Sequence, residues 1–120
     1  MIFDTNVLIY LSKYALKPER LLDQATAISI ITKIEVLGFP FKNNDEHELL
    51  RALCKELKVV PLTDLIPEET INLRQHYRIK LRDAVIYATA LIENVPLLTN
   101  NFKDFQPING KVRLINPFDL

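Results

Sequence analysis

The sequence has little of several residue types, and each shortage excludes a class of protein. One cysteine in 120 residues excludes an internal disulfide and a zinc site built on several cysteines. Two glycines are too few for a flexible linker, and the seven prolines are spaced like loop markers within one domain. No apolar run approaches the roughly 18 residues of a membrane span. The first residues reach Asp4 without a basic segment, so we expect no signal peptide and a cytoplasmic protein.

Net charge is also absent, because 15 basic residues balance 15 acidic ones. This balance argues against a protein that holds nucleic acid by overall charge, but it leaves segregated charges possible. What is present is ordinary for a folded protein: 48% of the residues are hydrophobic and 25% are charged. The length fits one domain over residues 1–120.

Short apolar runs alternate with amphipathic segments along the chain. Predicted strands cover residues 1–3, 27–30, 59–60, 96–99 and 112–115. Predicted helices begin near residue 5, run from 31 to 37, run from 45 to 57, begin near Pro67, and include a buried segment over 84–92. This alternation is typical of an α/β domain whose mostly parallel sheet is covered on both faces.

Four acidic residues lie near the ends of these strands. Asp4 follows the first strand, and Glu35 lies one turn into the helix after the second. Asp83 begins the buried helix, while Asp104 follows strand 96–99, close to Asn101. Ligands bind beyond the carboxyl ends of such strands. Clustered carboxylates repel one another, and a bound cation would neutralise that repulsion. Oxygen ligands suit Mg²⁺ or Mn²⁺, so the pattern indicates metal-assisted displacement at phosphorus.

Each acid, taken alone, also has an ordinary structural interpretation. Asp4 could cap the following helix, since Asp is a favoured N-cap residue. Thr32-x-x-Glu35 fits a capping box, in which the Glu reaches back to the start of its own helix. Asp83 could be a first-turn acid and Asp104 a solvated turn residue.

Four local sequences, taken in order, resemble the PIN-domain family, and specifically the VapC-type ribonuclease toxins of toxin–antitoxin pairs. They are Asp4-Thr5-Asn6-Val7-Leu8-Ile9-Tyr10, Ser29-x-x-Thr32-x-x-Glu35, Leu81-Arg82-Asp83-Ala84 with Ala88-Thr89-Ala90, and Leu98-Thr99-Asn100-Asn101-x-x-Asp104-Phe105. The resemblance extends from residue 3 to about residue 116.

This resemblance implies a three-layer α/β/α domain with a central, mostly parallel sheet, and Mg²⁺- or Mn²⁺-dependent endonucleolytic cleavage of RNA. Asp4, Glu35 and Asp83 match the three acids on which the family depends. The fourth acid of similar proteins stands at the position of either Asn101 or Asp104, and we favour Asp104. The family also implies partners, namely an RNA substrate, a small antitoxin and a second copy of the chain.

Further polar positions follow from the same resemblance. Asn6, Thr99 and Asn101 match places where side chains orient the acids or hold water. Arg82 stands where a proline is common in similar proteins.

A basic run precedes Asp83, formed by Arg74, His76, Arg78, Lys80 and Arg82. Such a run is often a solvated helix face, but its position beside the predicted metal site favours contacts from Arg78, Lys80 and Arg82 to RNA phosphates. The apolar residues Leu8, Leu11 and Leu16 fit either an interface with a second copy or an antitoxin, or the core.

Two other functions compete with the nuclease. One is a catalytically inactive PIN module that only binds RNA or a protein partner. The other is a phosphotransfer domain that uses an aspartyl nucleophile, although Asp4-Thr5-Asn6 lacks the neighbouring acid that such domains carry.

Overall fold

Five short strands form one sheet, and every pairing in it is parallel. The computed structural model describes residues 1–23, 25–40, 43–108 and 110–120. The strands are β1 (Ile2–Phe3), β2 (Ala27–Ser29), β3 (Lys58–Val60), β4 (Leu97–Leu98) and β5 (Leu114–Ile115). They lie in the order β3-β2-β1-β4-β5. The predicted α/β domain with a parallel sheet is therefore confirmed.

Helices connect these strands. They are α1 (Thr5–Ser12), α2 (Pro18–Leu21), α3 (Ile30–Gly38), α4 (Asn44–Glu56), α5 (Leu65–His76), α6 (Leu81–Glu93) and α7 (Phe102–Phe105), with a 3₁₀ turn over Pro117–Asp119. The sequence did not predict α2, α7 or the 3₁₀ turn. Within the described ranges, no helix has both the length and the apolar character that a membrane crossing requires.

Several predicted boundaries differ from the structure by one or two residues. The fifth strand, predicted over 112–115, covers only Leu114–Ile115, and the end of the second strand differs for a clear reason. Residues 27–30 were expected to form a strand, but Ile30 already belongs to α3. The Ser29 hydroxyl accepts a hydrogen bond from the Ile31 backbone N–H at 3.2 Å, so Ser29 is the N-cap that ends the strand.

The two faces of the sheet support two separate hydrophobic cores, because successive residues of a strand point to opposite sides. One core joins Ile2, Ala27 and Leu97 to α5, α6 and α7. The other joins Phe3, Ile28 and Leu98 to α1, α2, α3 and α4. Helices therefore cover both faces of the sheet, and the predicted three-layer α/β/α arrangement is confirmed.

The second core also decides the role of three leucines near the start of the chain. Leu8, Leu11 and Leu16 are buried members of it. They are core residues, so a dimer interface formed by these side chains is ruled out.

The strand order creates a crevice beside β1. From β1 the chain moves to β2 and β3 on one side, and it later crosses to β4 and β5 on the other side. Neighbouring strands whose connections leave in opposite directions open a crevice at their carboxyl ends. Asp4 directly follows β1 and Thr99 directly follows β4. The fold therefore places these two residues together.

Candidate functional site

Asp4 is both a helix cap and a buried carboxylate at the crevice. Its Oδ1 atom accepts a hydrogen bond from the Thr5 backbone N–H at 2.8 Å, which caps α1. Its Oδ2 atom accepts one from the Thr99 hydroxyl at 2.7 Å. The structural and functional interpretations of Asp4 are thus compatible, because capping uses one carboxylate oxygen.

Burial raises the pKa of Asp4 above its ordinary value. The hydrogen bonds from Thr99 and Thr5 oppose this rise in pKa, as does the nearby charge of Arg82, whereas the charge of Asp104 adds to it. Asp4 therefore lies in a site where a bound cation would favour its charged form.

Thr99 links β4 to the carboxylate. Its buried hydroxyl donates to Asp4 and accepts the Asn101 backbone N–H at 3.0 Å. Thr99 therefore holds Asp4 and also fixes the start of the following loop.

We expect Thr99→Val to destabilise the protein by about 1–3 kcal/mol, because the buried Asp4 carboxylate and the Asn101 N–H each lose a partner. Denaturation in urea measures the loss. Thr89→Val is the matched control, since Thr89 is also buried but its hydroxyl only donates to the Val85 carbonyl within α6. Equal losses in the two variants would contradict the role assigned to Thr99.

Asp83 and Asp104 face the same crevice as Asp4. Asp83 is the third residue of α6 and is buried. Burial raises its pKa, the adjacent Arg82 lowers it, and the charges of Asp104 and Asp4 raise it further. The three carboxylates are therefore close enough to repel one another.

The two candidates for the fourth site residue are hydrogen-bonded to each other. The Asn101 side-chain amide donates to Asp104 Oδ2. Asp104 is half-buried on α7, and its charge acts on both Asp4 and Asp83. Asn101 thus holds the acid that faces the other two carboxylates.

Glu35 reaches this cluster from α3. Its Oε1 atom accepts a hydrogen bond from the Thr5 hydroxyl at 2.8 Å, and the Thr32 hydroxyl lies 3.1 Å from that of Thr5. Because the N-cap of α3 is Ser29, Glu35 lies beyond the first turn of the helix. The capping-box interpretation of Thr32 and Glu35 is therefore wrong.

Arg82 is the residue whose place the sequence did not reveal. Its Nη1 atom lies 3.2 Å from Glu35 Oε2 and its Nε atom 3.3 Å from Asp83 Oδ1. Its contact with the adjacent Asp83 could be guessed from chain order, but Glu35 is 47 positions away. Arg78 and Lys80, the other two predicted phosphate contacts, are exposed. Asn6 is half-buried.

We call Asp4, Glu35, Asp83 and Asp104 the acidic cluster. Its donors are all carboxylate oxygens, a set that fits Mg²⁺ or Mn²⁺. Across the described ranges, however, no three carboxylate, imidazole or thiol side chains converge as a ready ligand set. Thr99, Thr5 and Arg82 engage three of the four acids instead. The donor chemistry fits a divalent cation, although the side chains are arranged around protein partners.

An apolar groove of about 920 Å³ adjoins the cluster. Its lining combines apolar side chains, all exposed or half-buried except the buried Val36, with two residues of the site itself, Glu35 and Arg82. The apolar part consists of Ile9, Ile34, Val36, Phe39 and Pro40, and the remaining lining residues are Thr5, Asn6, Lys13, Gly38, Asn43 and Glu46. A ligand in this groove would therefore lie next to the acids.

Comparison with known proteins gives a consistent result. A family model described as PIN domain matches residues 1–110. Comparison with curated proteins finds no match. Among solved structures, a toxin–antitoxin complex from Klebsiella pneumoniae contains a chain 33% identical to this one, with a TM-score of 0.76, covering 97% of this chain and 96% of that chain.

Two further structures have the same fold. VapBC-1 from nontypeable Haemophilus influenzae is 28% identical with a TM-score of 0.76, and the match covers 98% of this chain and 99% of that one. DNA-bound VapBC from Salmonella typhimurium is 23% identical with a TM-score of 0.78, covering 97% and 96%. The second likeness bears on the fold alone.

Proposed function

This chain belongs to the PIN-domain family and is of the VapC type, and we propose that it acts as a Mg²⁺- or Mn²⁺-dependent endoribonuclease, the toxin of a type II toxin–antitoxin pair. The observation that carries the proposal is the placement of Asp4, Asp83 and Asp104 at one sheet crevice, where the charge of Asp104 adds to the burial that raises the pKa of both Asp4 and Asp83. A structural role alone gives no reason to gather three carboxylates that repel one another.

The four acids would have different roles in metal binding, according to their burial. Asp4 and Asp83 are buried, so they would hold the cation from the floor of the crevice. Glu35 and Asp104 are half-buried and would complete the site from its sides. Each carboxylate oxygen has two lone pairs, so the hydrogen bonds to Asp4 leave positions for a cation. A divalent ion bound there would supply an activated water and would polarise the phosphodiester.

Neighbouring polar groups would keep the acids in place during the reaction. Thr99 fixes Asp4, Thr5 fixes Glu35, and Asn101 fixes Asp104. Rigid neighbours of metal ligands matter because a small displacement of a ligand weakens both binding and catalysis. Asp104 would also orient the attacking water.

RNA would approach over exposed basic residues. Arg78 and Lys80 are exposed and lie within five residues of Asp83, so they are available for phosphate contacts. The guanidinium of Arg82 is engaged with two acids, so its role toward phosphate is secondary to these contacts. Local positive charge of this kind would allow phosphate binding even though the net charge of the chain is zero.

The central test is RNA cleavage by the purified chain with Mn²⁺, with EDTA, and with Mn²⁺ restored after EDTA. We expect cleavage only when Mn²⁺ is present, with 5′-phosphate and 3′-hydroxyl ends. Binding without cleavage would support the inactive PIN module instead. A covalent aspartyl phosphate, formed from a phosphodonor, would support the phosphotransfer domain.

We further propose that the antitoxin occupies the apolar groove. Ile34 and Phe39 expose about three-fifths of their surface there, and contiguous exposed apolar side chains mark interaction sites. The solved structures most useful for comparison are toxin–antitoxin complexes, which supports a protein partner. A basic side chain of that partner would reach Glu35 from within the groove. The homodimer stays a prediction, and its interface must use residues other than the three buried leucines.

A further inference from the structure

We infer that Arg82 is an internal cation of the acidic cluster, which bridges Glu35 and Asp83 and must leave Glu35 before a divalent ion gains the ligands of the site. The inference rests on the proposed function, because it concerns competition for the same carboxylates. Arg82 would then set the concentration of divalent ion at which the site fills.

The geometry of the guanidinium carries the inference. One nitrogen, Nη1, lies 3.2 Å from Glu35 Oε2, and another, Nε, lies 3.3 Å from Asp83 Oδ1. One planar group thereby spans acids that come from α3 and α6. The planar guanidinium has several N–H donors in a fixed geometry, so it can bind two carboxylates at once. A lysine ammonium lacks this geometry.

The position of Arg82 in its helix argues that the acids hold it there. Arg82 is the second residue of the 13-residue helix α6. The positive end of the helix dipole disfavours a cation in the first turn, so local helix preference does not explain it. The two carboxylates supply the compensating negative charge.

The two contacts differ in how easily they can open. The side chains of Arg82 and Glu35 are 35% and 30% exposed, whereas that of Asp83 is 3% exposed. Exposed ion pairs contribute little, because water and salt screen them. Release is therefore expected on the Glu35 side, where the long Arg82 side chain can turn toward solvent.

This arrangement also accounts for the absence of a ready ligand set among the described residues. Glu35 accepts from Thr5 on one oxygen and from Arg82 on the other. Every buried side-chain nitrogen or oxygen in the described part of the chain has a partner. The acids thus have partners within the protein, and Arg82, a partner that carries a positive charge, competes with an entering ion for Glu35 and Asp83.

The test is Mn²⁺ binding to the full chain, measured by calorimetry on protein freed of metal. We expect Arg82→Gln to bind Mn²⁺ about tenfold more tightly, because a positive charge next to the site is removed. Arg78→Gln is the matched control, with the same charge change at an exposed arginine four positions earlier, and we expect its affinity to change by less than about twofold. Thermal unfolding without Mn²⁺ is the second readout, and there we expect Arg82→Gln to be no more stable than the wild type.

The outcomes separate the inference from the proposed function. If Arg82→Gln binds Mn²⁺ no more tightly than Arg78→Gln, while the wild type binds it, the inference is wrong and the metal site stands. A loss of stability without a gain in affinity would assign Arg82 a purely structural role, which also overturns the inference. If neither the wild type nor Arg82→Gln binds Mn²⁺, both the inference and the proposed metal site fail.

Discussion

Asp4→Asn is expected to reduce Mn²⁺-dependent RNA cleavage by more than about 100-fold, since even the outer neighbours of metal ligands are worth about 10–100-fold. The amide removes the negative charge that would hold the cation. It keeps an oxygen for the Thr5 N–H, and Asn caps helices as well as Asp does. The Thr99 hydroxyl can turn to accept from the new amide. The loss is therefore expected in activity and not in folding.

Stability measurements make this expectation sharper. Burial raises the pKa of Asp4 in the folded protein. Ionisation of Asp4 therefore lowers the free energy of unfolding as the pH rises from the ordinary pKa of Asp through the raised pKa of the folded state. The uncharged Asn avoids this cost, and in metal-free buffer at neutral pH the variant should be at least as stable as the wild type. Asp4→Ala, in contrast, loses the cap at a cost of about 1 kcal/mol. Metal-dependent cleavage that survives in Asp4→Asn would overturn the assignment.

Ile34→Asp is expected to weaken binding of the antitoxin by about 30-fold or more, because burying an unpaired carboxylate at an apolar contact costs about 2 kcal/mol or more. Ile34 lines the apolar groove and is 59% exposed in the free chain. A carboxylate at this position would be desolvated by a bound partner without gaining a counter-ion. The measurement is calorimetry with the purified cognate antitoxin.

The control for this experiment lies on the other side of the sheet. Ile71 is 58% exposed on α5, outside the groove, so Ile71→Asp makes the same chemical change at similar exposure. We expect its affinity for the antitoxin to equal that of the wild type. Equal weakening in both variants, or none in Ile34→Asp, would show that the partner binds elsewhere.

The larger elements of the fold could be predicted because their patterns are long or strongly apolar. Helix α4 has leucines at helical spacing, and every residue of α6 from Ala84 to Ala90 is buried. The short helices α2 and α7 have four residues each, too few for a periodic pattern to emerge. The end of β2 depends on a single hydrogen bond from Ile31 to Ser29, which composition does not reveal.

The candidate site, like the fold, could be predicted from the sequence only in part. The positions of Asp4 and Thr99 follow from chain order, since both come directly after neighbouring parallel strands. The bridge from Arg82 to Glu35 depends on how α6 packs against α3, which no local pattern encodes. The capping box failed for a related reason, because Ser29 begins the helix earlier than the spacing of Thr32 and Glu35 requires.

Helix α1 connects the two sites that the preceding experiments treat separately. Asp4 caps its first turn, and Thr5, Ile9 and Lys13 line the apolar groove, as do Glu35 and Arg82. Ligands that share residues are thermodynamically linked, and the linkage is reciprocal. Any factor by which Mn²⁺ changes the affinity for the antitoxin must equal the factor by which the antitoxin changes the affinity for Mn²⁺. Titrating either proposed ligand in the presence of the other therefore measures one coupling free energy between the metal site and the apolar groove.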